Sequence, residues 1–183
     1  MTTGSLFLLG AALLLFGCVG GDDSGPPPLE TVAKIDLERY AGEWFEIARY
    51  PNRFQRDCPA SKATYTLLPD GELEVFNQCY DQGYRNLLRS VKGKARVVDP
   101  GTNAKLKVTF FRPFSGDYWI IGLGDDYEYA VVGHPDRKYL WILSRSPEMP
   151  EELYSRITDN LKKQGYDPRR LIRGEQPGDR NES

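Results

Sequence analysis

Between Glu43 and Arg145 the chain repeats one pattern, short runs rich in β-branched and aromatic residues separated by turn residues. The runs are Trp44 to Tyr50, Ala63 to Leu68, Leu73 to Tyr80, Leu88 to Val97, Ala104 to Phe111, Tyr118 to Leu123, Tyr127 to His134 and Tyr139 to Ser144. Their connections carry turn chemistry at Pro69-Asp70-Gly71, Asp99-Pro100-Gly101, Ser115-Gly116-Asp117, Gly124-Asp125-Asp126 and His134-Pro135-Asp136. Such spacing means consecutive antiparallel strands. Eight of them either close into a barrel wide enough for one small ligand, which removes exposed edges, or stack as an open sandwich.

After Ser146 the pattern changes period. Pro150-Glu151-Glu152 supplies a helix start, and Leu153, Ile157 and Leu161 form an i, i+4, i+8 stripe that should pack on the outside of the strands. Lys162 and Lys163 complement the helix dipole at its far end, and Gly165 is the expected stop. From Gly174 to Ser183 the sequence is too polar to bury a core, so this tail is expected to be disordered.

The N-terminus reads as an address. Residues 6–16 form an apolar run with the length of a signal-peptide core, too short to span a bilayer, and Gly20 to Pro28 cannot continue a helix. Leu15-Phe16-Gly17-Cys18 resembles the bacterial lipobox, which implies cleavage before Cys18 and a lipid anchor on that cysteine. The expected organisation is thus a signal peptide over 1–17, a flexible tether over 18–31, a folded domain over 32–173 and the tail over 174–183. Val19 is not the aspartate that retains bacterial lipoproteins in the inner membrane, so the resemblance implies the outer membrane of a Gram-negative bacterium.

With Cys18 assigned to lipid, Cys58 and Cys79 remain as an even pair, and an exported chain favours a disulfide between them. A thiol enzyme is the competing reading, but the only histidine is His134 and nothing nominates a base beside either sulfur. A metal site is not expected either, because zinc and copper would lack ligands. The formal charge of −2 comes from nearly balanced acidic and basic residues, with no basic stripe for nucleic acid.

Gly42-Glu43-Trp44 within the stretch Tyr40 to Arg49 resembles the G-x-W of the lipocalins, in the branch that holds bacterial lipocalins and apolipoprotein D. Asp125-Asp126-Tyr127 resembles the family's second segment and Leu140 to Pro147 its third. The resemblance implies an eight-stranded up-and-down barrel, open at one end, with Gly42, Trp44 and Arg145 closing the other; a non-enzymatic carrier without a cofactor is the expectation, with a lipocalin-fold enzyme acting on a bound lipid or an envelope structural protein as the alternatives. It also implies a cavity for fatty acids, lysophospholipids or similar guests, with Tyr65, Asn77, Phe110 and Tyr118 on its wall. Strand parity from Trp44 and Arg145 places Glu46, Ala48, Trp141 and Leu143 on the inner face, and parity on the intervening strands adds Val75, Val108, Ile120 and Val132. Arg53, Arg56, Arg85 and Arg89 in the open-end loops are either partners for an anionic head group or solvated surface charge. The monomer and the homodimer both stay open.

Overall fold

A computed structural model describes Met1 and residues 26–176. Cys18, the expected signal peptide and residues 177–183 of the expected tail lie outside the described residues. The described chain forms a short helix α1 (Leu37–Tyr40) and then eight strands: β1 (Gly42–Arg49), β2 (Ala60–Leu67), β3 (Leu73–Tyr80), β4 (Leu87–Val97), β5 (Lys105–Phe111), β6 (Phe114–Leu123), β7 (Tyr129–Gly133) and β8 (Leu140–Ser144). Helix α2 (Glu151–Lys163) and a two-residue strand β9 (Ile172–Arg173) complete it. Every sequential pair from β2 to β8 is antiparallel, β8 pairs with β1, and β1 pairs with β2, so the sheet closes as a barrel and the sandwich alternative falls.

Two apolar cores share the sheet. The inner one fills the lower barrel and includes Trp44, Tyr65, Leu73, Val75, Leu106, Ile120, Val132 and Leu143. The outer one lies under α2, where Ile157 and Leu161 are buried against Ile47, Ala48, Ile121, Val131 and Ile142. Burying those two helix side chains is worth about 1.5 to 3 kcal/mol each. Gly165, with φ +81°, ends the helix as its position predicts, and Tyr166 N–H donates back to the Leu161 carbonyl.

Two local expectations are corrected. Ser115-Gly116-Asp117 is not a turn but part of β6, because Gly116 and Asp117 pair with Val108 and Lys107 of β5 and the Asp117 carboxylate meets Lys107 at 3.2 Å. The reversal falls instead at Arg112-Pro113, between Phe111 and Phe114. Ala48 does not face the barrel interior: the register of β1 against β8 shifts between Glu46 and Ala48, a bulge that sends Ile47 and Ala48 to the outer core and turns Arg49 inward. Packing reaches residues on either side of the barrel and helix. Leu29 is buried in the outer core, Gly174 N–H donates to the Ile47 carbonyl at 3.0 Å, and Gln176 donates to the Glu46 carbonyl at 3.0 Å.

Cys58 and Cys79 are disulfide-bonded across a sequence separation of 21. The bond ties the β1–β2 loop to the open end of β3 and leaves no free thiol among the described residues. Closing a loop of that length should stabilise the fold by about 3 kcal/mol through the unfolded chain. Urea unfolding with and without dithiothreitol should therefore differ by about that amount; a difference under ~0.5 kcal/mol would contradict this role.

Candidate functional site

The floor of the barrel is built around one indole. Trp44 is fully buried and donates from Nε1 to the Tyr40 carbonyl at 2.9 Å. Across its outer face lies the Arg145 guanidinium, 3.8 Å from the ring centroid. Arg145 directs its donors to backbone, with Nη1 on the Glu43 carbonyl at 2.8 Å and Nη2 on those of Arg39 and Ala41 at 2.7 and 2.8 Å. The contact is worth about 0.5 to 2 kcal/mol as a cation–π pair, and it joins α1, β1 and the end of β8. Gly42 makes room for it: its φ is +98°, and a Cβ there would sit 3.1 Å from Arg145 Nη1.

Above Trp44 stands a stack of tyrosines. Tyr40 and Tyr65 each share a hydrogen bond with the Tyr118 hydroxyl, at 2.7 and 2.8 Å. Burial holds all three phenols above their ordinary pKa, with Tyr65 pushed up to about 12, so they remain neutral at physiological pH. They form a polar seam in an otherwise apolar lower barrel.

Higher up, the interior divides into two sides. On one side the β1–β2 loop folds over the wall, and Gln55 collects a network. Gln55 Nε2 donates to Glu46 Oε2 at 2.5 Å and to Ser61 Oγ at 3.0 Å, while Gln55 Oε1 accepts from Trp141 Nε1 at 2.9 Å. Arg49 Nη1 meets Glu46 Oε1 at 2.6 Å, and its Nη2 donates to the Gln55 and Cys58 carbonyls at 3.2 and 2.8 Å. Every donor direction of Arg49 with a partner points into protein, so this network is structural. Burial raises the Glu46 carboxyl above its usual range, against the opposing pull of Arg49 and Gln55. On the other side, formed by β2 to β6, the inner face is unfilled toward the mouth: Ala63, Asn77, Val91, Val108, Phe110 and Tyr118 are all only half-buried.

The expected wall residues therefore come together. Tyr65, Val132 and Leu143 belong to the inner core, and Phe110, Tyr118 and Trp141 pack against it. Asn77 shares the inner face of β3 with Val75, and its amide has no hydrogen-bond partner among the described residues. Arg89 pairs with Cys79 two residues beyond the Asn77–Val91 pair, which puts it on the same face at the mouth. His134, read as a loop residue, lies in the β7–β8 connection beside Asp136 at 2.6 Å. Arg49 and Gln55 were not foreseen, since a bulge and a folded-over loop leave no periodic mark. Tyr40 was within reach, as the aromatic four residues before Trp44.

The sequence over residues 35–176 matches the model of the lipocalin-like domain.

The chain belongs to the lipocalin family.

It is 40% identical to the outer membrane lipoprotein Blc of Escherichia coli K12 over 172 residues, covering 93% of this chain and 97% of that protein. Temperature-induced lipocalin-1 of Arabidopsis thaliana is 41% identical over 78% of this chain and 80% of its own length. Mouse apolipoprotein D is 32% identical over 82% of this chain and 80% of its own. Among solved structures, insecticyanin of the tobacco hornworm Manduca sexta superposes with a TM-score of 0.65 at 22% identity, over 82% of this chain and 86% of that one, which speaks to the fold alone.

The buried pair of this lipocalin makes a testable prediction. Arg49→Met should cost about 3 kcal/mol at pH 7, because it strands the Glu46 carboxylate, whereas Glu46→Met combined with Arg49→Met should restore most of that loss. In the single variant the carboxyl would be raised still further, and stability should fall as pH rises through its shifted value, since the folded form then holds a proton that the unfolded form has released. Urea midpoints between pH 4.5 and 8 would show it; a double variant as unstable as the single one contradicts the assignment.

Proposed function

We propose that this lipocalin is a non-enzymatic carrier of fatty acids, lysophospholipids or similar single-chain amphiphiles, anchored through Cys18 in the outer membrane of a Gram-negative bacterium. One observation carries the cavity part of this reading: the inner faces of β2 to β6 keep half-exposed apolar and aromatic side chains above a sealed floor. A wall of that composition with a few fixed polar groups suits a largely apolar guest. The acyl chain lies along Val108, Phe110 and Tyr118, with its end above the tyrosine seam and the buried Tyr65, Val132 and Leu143. Its head group sits higher, near the Asn77 amide, Trp141 and Arg89. Support for the anchor comes from the lipobox-like Leu15 to Cys18 and from the similarity to Blc, an outer membrane lipoprotein.

A lipid-modifying enzyme on this barrel would need a reduced cysteine facing the cavity. The Cys58–Cys79 bond supplies none, and titration of the folded protein should find both sulfurs unreactive without reductant.

Mass spectrometry of the membrane-extracted protein, intact and after organic extraction, reads anchor and guest together. The expected result is an acylated chain beginning at Cys18 and a released single-chain lipid; an unmodified N-terminus and an empty extract would contradict the proposal. In a titration with a fluorescent fatty acid, Phe110→Ala should weaken binding about tenfold, equivalent to roughly 1.4 kcal/mol of lost apolar contact. Unchanged affinity would remove Phe110 from the wall.

A further inference from the structure

The rim of the open end is unusual in being both greasy and notched. Five of the seven large apolar side chains left exposed between residues 26 and 176 stand there: Phe54 in the β1–β2 loop, Leu87 and Leu88 at the start of β4, and Phe111 and Phe114 flanking the β5–β6 turn. Phe111 and Phe114 are 71% and 78% exposed, which water disfavours at a hairpin tip that packing does not require. The notch lies between the last four. β4 pairs with β5 only from Lys94 to Val97, so residues 87–93 of β4 have ladder bonds to β3 alone. A cleft of about 610 Å³ opens on the barrel's side at this gap.

Its lining comes from both faces of the wall. Gly93 and Phe110 belong to the inner face, whereas Lys92, Lys94, Lys107 and Arg112 come from the outer face and the turn. The Phe110 ring lies directly on Gly93, where a Cβ would be 2.7 Å from the ring, so a single aromatic side chain separates the cleft from the lumen. A second row of rings leads inward at the opposite rim: Phe54 to Tyr139 at 6.0 Å between centroids and Tyr139 to Trp141 at 5.9 Å.

The chain that precedes the fold leaves at this same end. Gly165 and Arg137, the latter in the β7–β8 loop, lie against Pro26, and Arg137 Nη2 donates to the Pro27 carbonyl. From Pro26 back to Cys18 the chain can extend at most about 28 Å, roughly the height of the barrel. An acyl anchor at Cys18 therefore draws the open end, and not the floor, toward a bilayer. Arg53, Arg56 and Arg112 are exposed among the rim's apolar residues, and the aspartates of the open-end loops are Asp57, Asp81 and Asp136.

We infer that the notched rim is a docking surface for an anionic lipid bilayer, with Phe54, Leu87, Leu88, Phe111 and Phe114 in the interfacial layer, so that an acyl chain passes between bilayer and lumen through the β4–β5 cleft. This rests on the carrier and anchor reading for its direction, but the surface itself can be tested without either. Interfacial aromatic and leucine side chains beside arginines bind a bilayer through buried apolar area and attraction to anionic lipid together. A second copy of this chain would be the other occupant of such a face, but it accounts for neither the arginines nor the exit of the tether beside them.

The test uses the full mature chain with Cys18→Ser, which cannot be acylated, floated with vesicles of phosphatidylethanolamine and phosphatidylglycerol. It should co-float, and the variant carrying Leu87→Ser, Leu88→Ser, Phe111→Ser and Phe114→Ser should partition at least tenfold less, with an unchanged thermal melt. Arg56→Ser with Arg112→Ser, which leaves every apolar residue in place, should lower flotation severalfold on anionic vesicles and leave any binding to neutral phosphatidylcholine vesicles unaltered. Equal flotation of the parent and both variants, or no flotation of the parent, overturns the inference. So does a shift from dimer to monomer in the serine variant without loss of vesicle binding, which would assign the face to a second copy. Uptake of a fluorescent fatty acid in vesicle-free buffer is read in parallel: its absence alongside normal flotation removes the carrier reading and keeps the docking surface.

Discussion

A guanidinium lying on an indole holds the bottom of this molecule shut. The Arg145–Trp44 contact adds a side-chain tie between the first strand, the short helix before it and the end of the last strand, beyond the ladder that pairs β1 with β8. Arg145 reaches four backbone carbonyls on that side of the barrel, those of Arg39, Tyr40, Ala41 and Glu43, while its flat face covers the ring. A planar, permanently charged group suits this role in a way that a lysine would not, because it stacks and donates in the same geometry. Gly42 completes the arrangement by leaving space where a side chain would press on the arginine. With the floor fixed, the opposite end is free to stay open, which is the asymmetry a carrier needs.

The same strands serve two cores, and bulges allow it. At Glu46–Ala48 in β1 and at Ile120–Gly122 in β6 the register slips by one residue, and the extra residues, including Ile47 and Ile121, are buried under α2. Beyond each slip the alternation resumes with its faces exchanged relative to simple parity. In β1 this turns Arg49 inward to Glu46, and the pair, with Gln55, braces the one side of the upper barrel that the β1–β2 loop covers. The other side remains lined but unfilled. Rigid bracing and open lining thus divide one lumen between them.

Much of this was legible in the sequence. Alternation and turn residues located all eight barrel strands, since a half-buried antiparallel strand must write its period into the chain. The i, i+4, i+8 stripe located α2 for the same reason, and the even cysteine pair gave the disulfide. What stayed hidden depends on partners distant in sequence. Ser115-Gly116-Asp117 carries turn residues, yet β5 recruits it into a strand through Lys107. Ala48 was assigned by a parity that a bulge interrupts. Glu46 was expected on the inner face, but its partners Arg49 and Gln55 appear only once the loop has folded back. The positions of Tyr65, Phe110 and Tyr118 came from family resemblance and not from the period alone, and the short strand β9 is too brief to leave any pattern.

The account stands on a lumen that is hollow above a sealed floor and takes a chain tail first. Fatty acids brominated either near the carboxylate or near the methyl end quench tryptophan only at short range, and the Trp141 contribution can be isolated by difference against Trp141→Phe. Trp141 sits on the inner face toward the mouth, so bromines near the carboxylate should quench it saturably and more strongly than those at the tail. Equal quenching by both, or none by either, would mean that no chain lies along this wall.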